Sequence, residues 1–358
     1  MALLHVASLL LCYDGLQYAN AVEDTHIAGT SGKEFFFAFF ANYYVDPHSY
    51  LENDIYVSST SDSLCTIDYD DGIRNLISIN ITAYSVTRKR LRGTTHLHAK
   101  SGIENKGIRI LCTNPVSIYG FNRRGDYASS DAFTALPLVA LSKEYIIPGV
   151  YNNPYIGVVA TQNNTLVKID LISSCSILFN GSLYKTGNIL AVSLNINDAL
   201  QIIHKESYET SLDCDFGGTY IQSTAPVAVF SGSVFYYPNF ALYTYLVLQV
   251  PPISAYSTTV IVPRVPSPAN HTVVRLVGSQ NDTSMSITSV SHTDVKVIQH
   301  SLNWREFKDI DICLSRVINR SWSYKIRTFI RMVDFQCLFR VKGRTKRSLS
   351  LKAWTVLK

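Results

Sequence analysis

Apolar, β-branched residues occur in short runs between prolines and small polar residues in the middle of the chain. Segment 107–148, GIRILCTNPVSIYGFNRRGDYASSDAFTALPLVALSKEYIIP, holds two such runs, Ile108–Cys112 and Val116–Tyr119, separated by Asn114-Pro115. Proline has no N–H for a strand ladder, and it disfavours the helical region for the residue before it. The pattern therefore predicts two strands around a corner rather than a helix.

The same pattern recurs about 110 residues further along the chain. Segment 217–233, GGTYIQSTAPVAVFSGS, places Pro226 opposite Pro115, and residues 158–170 align with residues 276–288. This period is too long for a solenoid repeat and is typical of tandem β-domains. We therefore predict an all-β fold of tandem β-sandwich-like units, with a β-propeller of short blades as the alternative.

The repeat suggests where the units begin and end. An apolar run, Ala2–Cys12, precedes Ala19-Asn20-Ala21, which is typical of a secretory signal peptide with its cleavage site, while a buried first strand is the alternative interpretation. The predicted divisions are a signal peptide at 1–21, a first β unit at 22–141, a second at 142–256, the start of a third, divergent unit at 257–300, and a basic C-terminal segment at 301–358.

Some local features of the first unit suggest particular elements. Thr95–Ala99 is predicted to be a strand, and His96 and His98 would share one of its faces. They could hold a metal ion there, but no third ligand is evident nearby, so surface histidines are the simpler interpretation. The basic run RKRLR, residues 88–92, is predicted to be a solvated hairpin loop.

Three segments, NPVSIYGFNRRGDYASSDAFTALPLVALSKEYIIPG, VVATQNNTLVKI and GTYIQSTAPVAVFSG, resemble the N-terminal domain of the IgG Fc-binding protein family. The similarity covers about residues 30–290 and is most specific at 107–170. It implies a secreted, non-catalytic module of mucus or extracellular matrix that binds protein or glycoprotein partners, either mucin-like or immunoglobulin-like. Binding of antibody Fc is the namesake property of the family, and no residue for it can be carried over to this chain.

Charge is distributed unevenly. Residues 296–358 hold 15 Lys and Arg against 4 Asp and Glu, whereas the preceding 295 residues hold 17 against 23. A mildly acidic body is a poor nucleic-acid-binding surface, so we expect no nucleic-acid partner. The basic tail is expected to dock on the body or on an acidic partner such as a sulfated or sialylated mucin.

Cysteines and glycosylation sequons both suggest an oxidising, extracellular setting. Removal of the signal peptide takes away Cys12 and leaves an even number of cysteines, which predicts disulfides, and we prefer sequential pairing because each bond then closes a loop within one unit or within the tail. The disulfide candidates are Cys65, Cys112, Cys175, Cys214, Cys313 and Cys337. The N-glycosylation candidates are Asn80, Asn163, Asn180, Asn270, Asn281 and Asn319.

The sequence contains no G-x-S-x-G elbow, H-E-x-x-H, G-x-G-x-x-G or P-loop motif. We therefore predict a binding module rather than an enzyme, with no catalytic residue, cofactor or metal ligand to nominate. The rival hypothesis is a secreted glycan-acting hydrolase, which would need two convergent carboxylates roughly 5–10 Å apart. No segment reaches the ~18 uninterrupted apolar residues of a membrane helix, so we expect no transmembrane segment.

Overall fold

The computed structural model of the protein describes residues 29–42, 51–125, 129–204, 214–236, 244–263, 271–290, 295–313, 323–328 and 335–341. Nearly all of their regular structure is β, and the helical residues form short 3₁₀ turns at Gly93–Thr95, Leu138–Ala140 and Ile253–Ala255. The all-β prediction is confirmed. Within these ranges no helix has the length and apolar character needed to cross a membrane.

The first large sheet has seven strands. They are β1 (Ser31–Phe37), β2 (Leu51–Ser58), β3 (Ser63–Asp70), β4 (Arg74–Ile81), β5 (Val86–Leu91), β7 (Ile108–Arg124) and β8 (Ser129–Ala135). Their order is β4-β3-β7-β2-β5, and β1 and β8 also pair with β7. The 17-residue β7 is thus the strand to which most of the others are hydrogen-bonded.

The second large sheet has eight strands arranged around another 17-residue strand, β16 (Tyr220–Tyr236). The others are β6 (Gly102–Glu104), β9 (Ser142–Ile146), β10 (Pro154–Ala160), β11 (Thr165–Asp170), β14 (Ile189–Leu194), β15 (Ala199–Ile203) and β17 (Thr244–Val250). The order is β14-β11-β16-β10-β15-β6, and β9 and β17 also pair with β16. A separate hairpin joins β12 (Ile177–Phe179) to β13 (Ser182–Tyr184).

Two smaller sheets follow. One contains β18 (Thr259–Pro263), β20 (Thr283–Val290), β21 (Val295–Leu302) and β23 (Ser323–Thr328), and the other contains β19 (His271–Gly278), β22 (Phe307–Cys313) and β24 (Phe335–Val341). Sheets of seven and eight strands do not correspond to the four-stranded blades of the propeller alternative. The unit boundaries near residues 142 and 257 stay a prediction.

The predicted corner at Pro115 is in fact the point where one continuous strand changes partners. Before Pro115, β7 pairs with β3, and after it β7 pairs with β2 and β8, while β1 pairs with β7 both before and after Pro115 with a register shift between. The second long strand, β16, behaves in the same way around Pro226, pairing with β11 before it and with β10 and β17 after it. Each proline thus lies where partners change and where the strand that continues past it, β1 or β9, shifts register, so its missing N–H falls at a break in the ladder.

The basic run 88–92 lies largely in β5, so its prediction as a loop is wrong. Alternate side chains of a strand share a face, and Arg88 and Arg90 both reach Asp54 on the neighbouring β2. Arg88 Nη2 lies 2.6 Å from Asp54 Oδ2, and Arg90 Nε lies 3.1 Å from Asp54 Oδ1. Burial would raise the pKa of Asp54, but the hydrogen bonds from the two guanidinium groups outweigh it and lower this pKa.

The first and second sheets share a hydrophobic core. The Phe40 ring, just after β1, lies 5.3 Å from the Tyr155 ring and 5.0 Å from the Phe230 ring, both of which belong to the second sheet. Gly157 on β10 faces the Phe40 ring so closely that a Cβ would overlap it. The contact between the sheets therefore depends on the absence of a side chain at position 157.

We expect Gly157→Ala to lower the free energy of unfolding by about 1–3 kcal/mol, because the added methyl group overpacks the core against Phe40. Denaturant unfolding of the purified protein measures this change. Gly102→Ala on β6 is the matched control, since a Cβ there meets nothing within 4 Å. Equal stability of the two variants would show that the Phe40 side chain moves to accommodate the added methyl group.

Candidate functional site

A shallow groove lies on the outer face of the second sheet, where β9 runs beside β16. Glu144 is the register partner of Gln222, and Ser142 is the partner of Val227, so β16 uses five residue steps where β9 uses two. The extra residues of β16, which include Pro226, separate the two strands locally. The resulting cavity has a volume of about 470 Å³, within the range of ligand sites.

A row of three polar side chains crosses the groove. Glu144 on β9, Gln222 on β16 and Lys168 on β11 are successive register partners, and all three are exposed. Neighbouring strands are about 4.8 Å apart, so the row extends over about 10 Å. The remaining lining residues are Leu141, Ser142, Lys143, Leu166, Ser223, Thr224 and Pro226.

Hydrogen bonds fix the wall of the groove at the bulge. The Leu166 N–H donates to Thr224 Oγ1 at 3.0 Å, which replaces a ladder bond next to Pro226. The Ser223 hydroxyl donates to the Ala225 carbonyl at 2.7 Å. The bulge is therefore held by its own side chains, and the groove is formed before any ligand arrives.

Two aromatic residues lie beside the row, next to Glu144 and outside the lining of the groove. Tyr220 lies two residues before Gln222 on the same face of β16, and its hydroxyl donates to Glu144 Oε1. Burial, together with this hydrogen bond and the negative charge of Glu144, raises the pKa of Tyr220, so the phenol stays protonated and keeps donating. The ring of Trp304 meets the Tyr220 ring edge-on at 5.4 Å and is 42% exposed.

The turn that carries Trp304 is held against the second sheet by its next residue. Arg305 has a left-handed φ of 65°, its Nη1 lies 2.6 Å from Asp170 Oδ2, and its Nε donates to the Gly218 carbonyl at 2.7 Å. A Cβ on Gly218 would overlap the Arg305 carbonyl oxygen, so glycine is required there.

An equivalent contact joins the first two sheets. Asn197, with a φ of 67°, donates from Nδ2 to Asp68 Oδ2 at 3.3 Å, and a Cβ on Gly107 would meet its carbonyl. Asp68 and Gly107 occupy the repeat positions of Asp170 and Gly218 in the sequence. The turn that carries Trp304 is therefore positioned by a type of contact that occurs at equivalent positions of both repeat copies.

A buried ionic cluster links β19 and β22 to loop residues that precede strands of the second sheet. Arg275 lies 2.7 Å from Asp215 Oδ2 and 2.7 Å from Asp309 Oδ1, and its guanidinium lies 4.2 Å from the centroid of the Phe307 ring and 4.8 Å from that of Tyr151. Burial raises the pKa of Asp215, against the opposing charge of Arg275. With side chains of Arg275 and Asp215 only 5% and 7% exposed, this cluster serves stability rather than ligand binding.

The described part of the chain contains two disulfides, and they are the first two pairs of the preferred sequential order. Cys65 and Cys112 are register partners on β3 and β7 with Cα atoms 4.0 Å apart, and the Cα atoms of Cys175 and Cys214 are 5.3 Å apart. Cys313 and Cys337 lie on the two sides of β19, opposite His271 and Leu276. A bond between Cys313 and Cys337 stays a prediction.

His204 lies beside the second disulfide, which the sequence did not indicate. One ligand atom each of Cys175, His204 and Cys214 lies within 4.8 Å of the others. Zinc binds cysteine as thiolate, and the two sulfurs are here bonded to each other. The cluster is therefore not a metal site in this oxidised form.

The histidines of the predicted strand Thr95–Ala99 lie in different environments. The segment is not a strand, because a 3₁₀ turn ends at Thr95 and His96 forms only an isolated bridge with Phe39. His96 is 4% exposed, so the surface interpretation is wrong for it. His98 lies at the surface, with Nδ1 2.6 Å from Glu104 Oε2.

The sequons are partly located by the structure. Asn80, Asn163, Asn180 and Asn281 are exposed. Residues 1–28, Asn270, Asn319 and the tail from 342 onward lie outside the described residues, so the signal peptide, two sequons and most of the basic tail stay predictions.

Fold and groove together define a class of protein: a β-rich module whose second sheet presents a preformed polar groove with two aromatic residues beside it. A sequence model of the family described as IgGFc binding protein matches residues 131–315, just over half of the chain, and the chain belongs to this family. The Homo sapiens IgGFc-binding protein is 26% identical over an alignment of 265 residues, which covers 71% of this chain and 4% of that protein. The chain thus spans a small part of this relative's length. No solved structure matches this chain.

Proposed function

We propose that this chain is a secreted, non-catalytic binding module that holds an extracellular protein or glycoprotein in the groove of its second sheet. The proposal rests on which residues line the groove. Glu144 is the single carboxylate among its lining residues, whereas a glycosidase needs two. This favours a binder over the glycan-acting hydrolase.

Family membership supports the same proposal. The human relative is by its name an IgGFc-binding protein, and this chain is similar to a small fraction of it. Immunoglobulin Fc is therefore one partner to test, beside a mucin-like glycoprotein. The two disulfides and the exposed sequon asparagines support an extracellular location.

We expect Gln222→Tyr to weaken partner binding by about tenfold or more, because the ring fills the centre of the groove. Full-length protein purified from culture medium is tested by biolayer interferometry on immobilised IgG Fc and on purified mucin. Leu111→Tyr is the matched control, since Leu111 occupies the repeat position of Gln222 on the first sheet and is also exposed.

Binding to neither probe, or equal loss in both variants, would contradict the proposal. Release of reducing sugars from mucin by the wild-type protein would instead support the hydrolase.

A further inference from the structure

The groove is lined by two lysines and one carboxylate, which gives it a net positive charge. Lys143 and Lys168 line it and are exposed, and neither takes part in an ion pair among the residues that the structure describes. Glu144 is the one carboxylate among the lining residues, and it accepts the hydroxyl of Tyr220, whereas Asp170 nearby is paired with Arg305. The two ammonium groups are therefore available to an anionic ligand.

The remaining groups match a sugar. The Gln222 carboxamide both donates and accepts hydrogen bonds, and the hydroxyl of Ser142 can do so as well. Tyr220 and Trp304 add rings of the kind enriched in binding surfaces, apolar on their faces and polar at one end. A saccharide can form hydrogen bonds with the polar side chains through its hydroxyl groups and can pack its ring against an aromatic face. The row of about 10 Å is long enough for both kinds of contact.

An acidic peptide is a poorer occupant. Peptides commonly bind to sheets by adding a strand to a free edge. The floor of the groove is β16, which is already paired with β9 on one side and β11 on the other. A peptide would have to bind there without main-chain ladder bonds.

We propose that the groove binds an anionic saccharide, with Lys143 and Lys168 contacting its carboxylate or sulfate, Gln222 its hydroxyls, and Trp304 a neighbouring sugar ring. This inference rests on the proposed function and names the part of the partner that the groove recognises.

The first sheet provides an internal comparison. Lys33 and Glu34 occupy the repeat positions of Lys143 and Glu144, but Thr66 stands in place of Lys168 and Arg109 in place of Tyr220. Arg109 Nη2 lies 2.7 Å from Glu34 Oε1. The lysine pair and the tyrosine–tryptophan contact are thus specific to the groove of the second sheet.

The test uses the full-length protein and three probes that share one core sugar: 3′-sialyllactose, lactose 3′-sulfate and lactose. Isothermal titration calorimetry is expected to show at least one acidic probe binding about tenfold more tightly than lactose. Exposed ion pairs contribute a few-fold each, so Lys143→Gln and Lys168→Gln should each weaken acidic binding about threefold, and the double variant about tenfold. Lys33→Gln is the matched control and should change nothing.

Raising sodium chloride from about 50 to 500 mM should weaken acidic binding and leave lactose binding unchanged, because salt screens the lysines. The sialylated and sulfated arms separate a carboxylate from a sulfate as the recognised group. Lactose binding as tightly as both acidic probes, no binding by any probe, or equal loss in Lys33→Gln would overturn the inference. If Gln222→Tyr still abolished partner binding in that case, the proposed function would stand while this inference fell.

Discussion

Replacement of Arg275 by methionine is expected to lower the free energy of unfolding by about 3–5 kcal/mol, the usual loss when one partner of a buried ion pair is removed. Arg275 donates to both oxygens of Asp309, at 2.7 and 2.8 Å, to Asp215 Oδ2 at 2.7 Å and to the Pro148 carbonyl at 3.1 Å. Methionine fills similar space but leaves the Asp215 carboxylate buried without its cation. Chemical denaturation of both proteins measures the difference.

The pH dependence of this loss has a definite sign. Burial raises the pKa of Asp215, and removal of Arg275 takes away the charge that opposes this rise. A carboxyl group whose pKa is higher in the folded state stabilises the fold below its unfolded pKa, and this contribution is lost as the pH rises through the folded pKa. The deficit of Arg275→Met should therefore be larger at pH 7 than at pH 4.

Two further variants separate the buried charge from the lost packing. Arg275→Met combined with Asp215→Asn should recover part of the stability, because the uncompensated charge is gone. Lys308→Met, at an exposed site on β22, should stay within about 0.5 kcal/mol of the wild type. A loss below about 1 kcal/mol for Arg275→Met would show that water reaches Asp215 in its place.

The sequence predicted the two strands that organise the large sheets. The repeated Pro-Val blocks are the centres of β7 and β16, and both are β-branched runs flanked by turn residues. It did not predict that each strand continues through its proline, because that depends on where the partner strands end. Nor could it show that Gly102–Glu104 joins the second sheet, a pairing with β15 about 100 residues further on.

The groove was not predictable for a similar reason. Its depth comes from unequal lengths of β9 and β16 between two register pairs, a property of two segments about 80 residues apart. Arg275 did leave a signal, since a charged residue within the apolar run Val273–Val277 implies a buried partner. The partner itself, Asp215, is distant in sequence and only the fold identifies it.

Loss of the Cys65–Cys112 disulfide is expected to lower the free energy of unfolding by about 4 kcal/mol, the chain-entropy value for a loop of 47 residues. The bond joins β3 to β7 inside the first core, where Cys65 is 0% and Cys112 5% exposed. Its removal frees the strand that holds the first sheet together. The variant Cys65→Ala/Cys112→Ala, compared with wild type by denaturant unfolding without reductant, measures the loss.

Thiol labelling provides the matching chemical test of both bonds. In unfolded, unreduced wild-type protein we expect none of Cys65, Cys112, Cys175 and Cys214 to be labelled, because all four are disulfide-bonded. Addition of a reductant should destabilise the wild type more than Cys65→Ala/Cys112→Ala, which has only the Cys175–Cys214 bond of these two left to lose. If all four cysteines were labelled without reductant, the chain would come from a reducing compartment, and the extracellular part of the proposed function would be wrong.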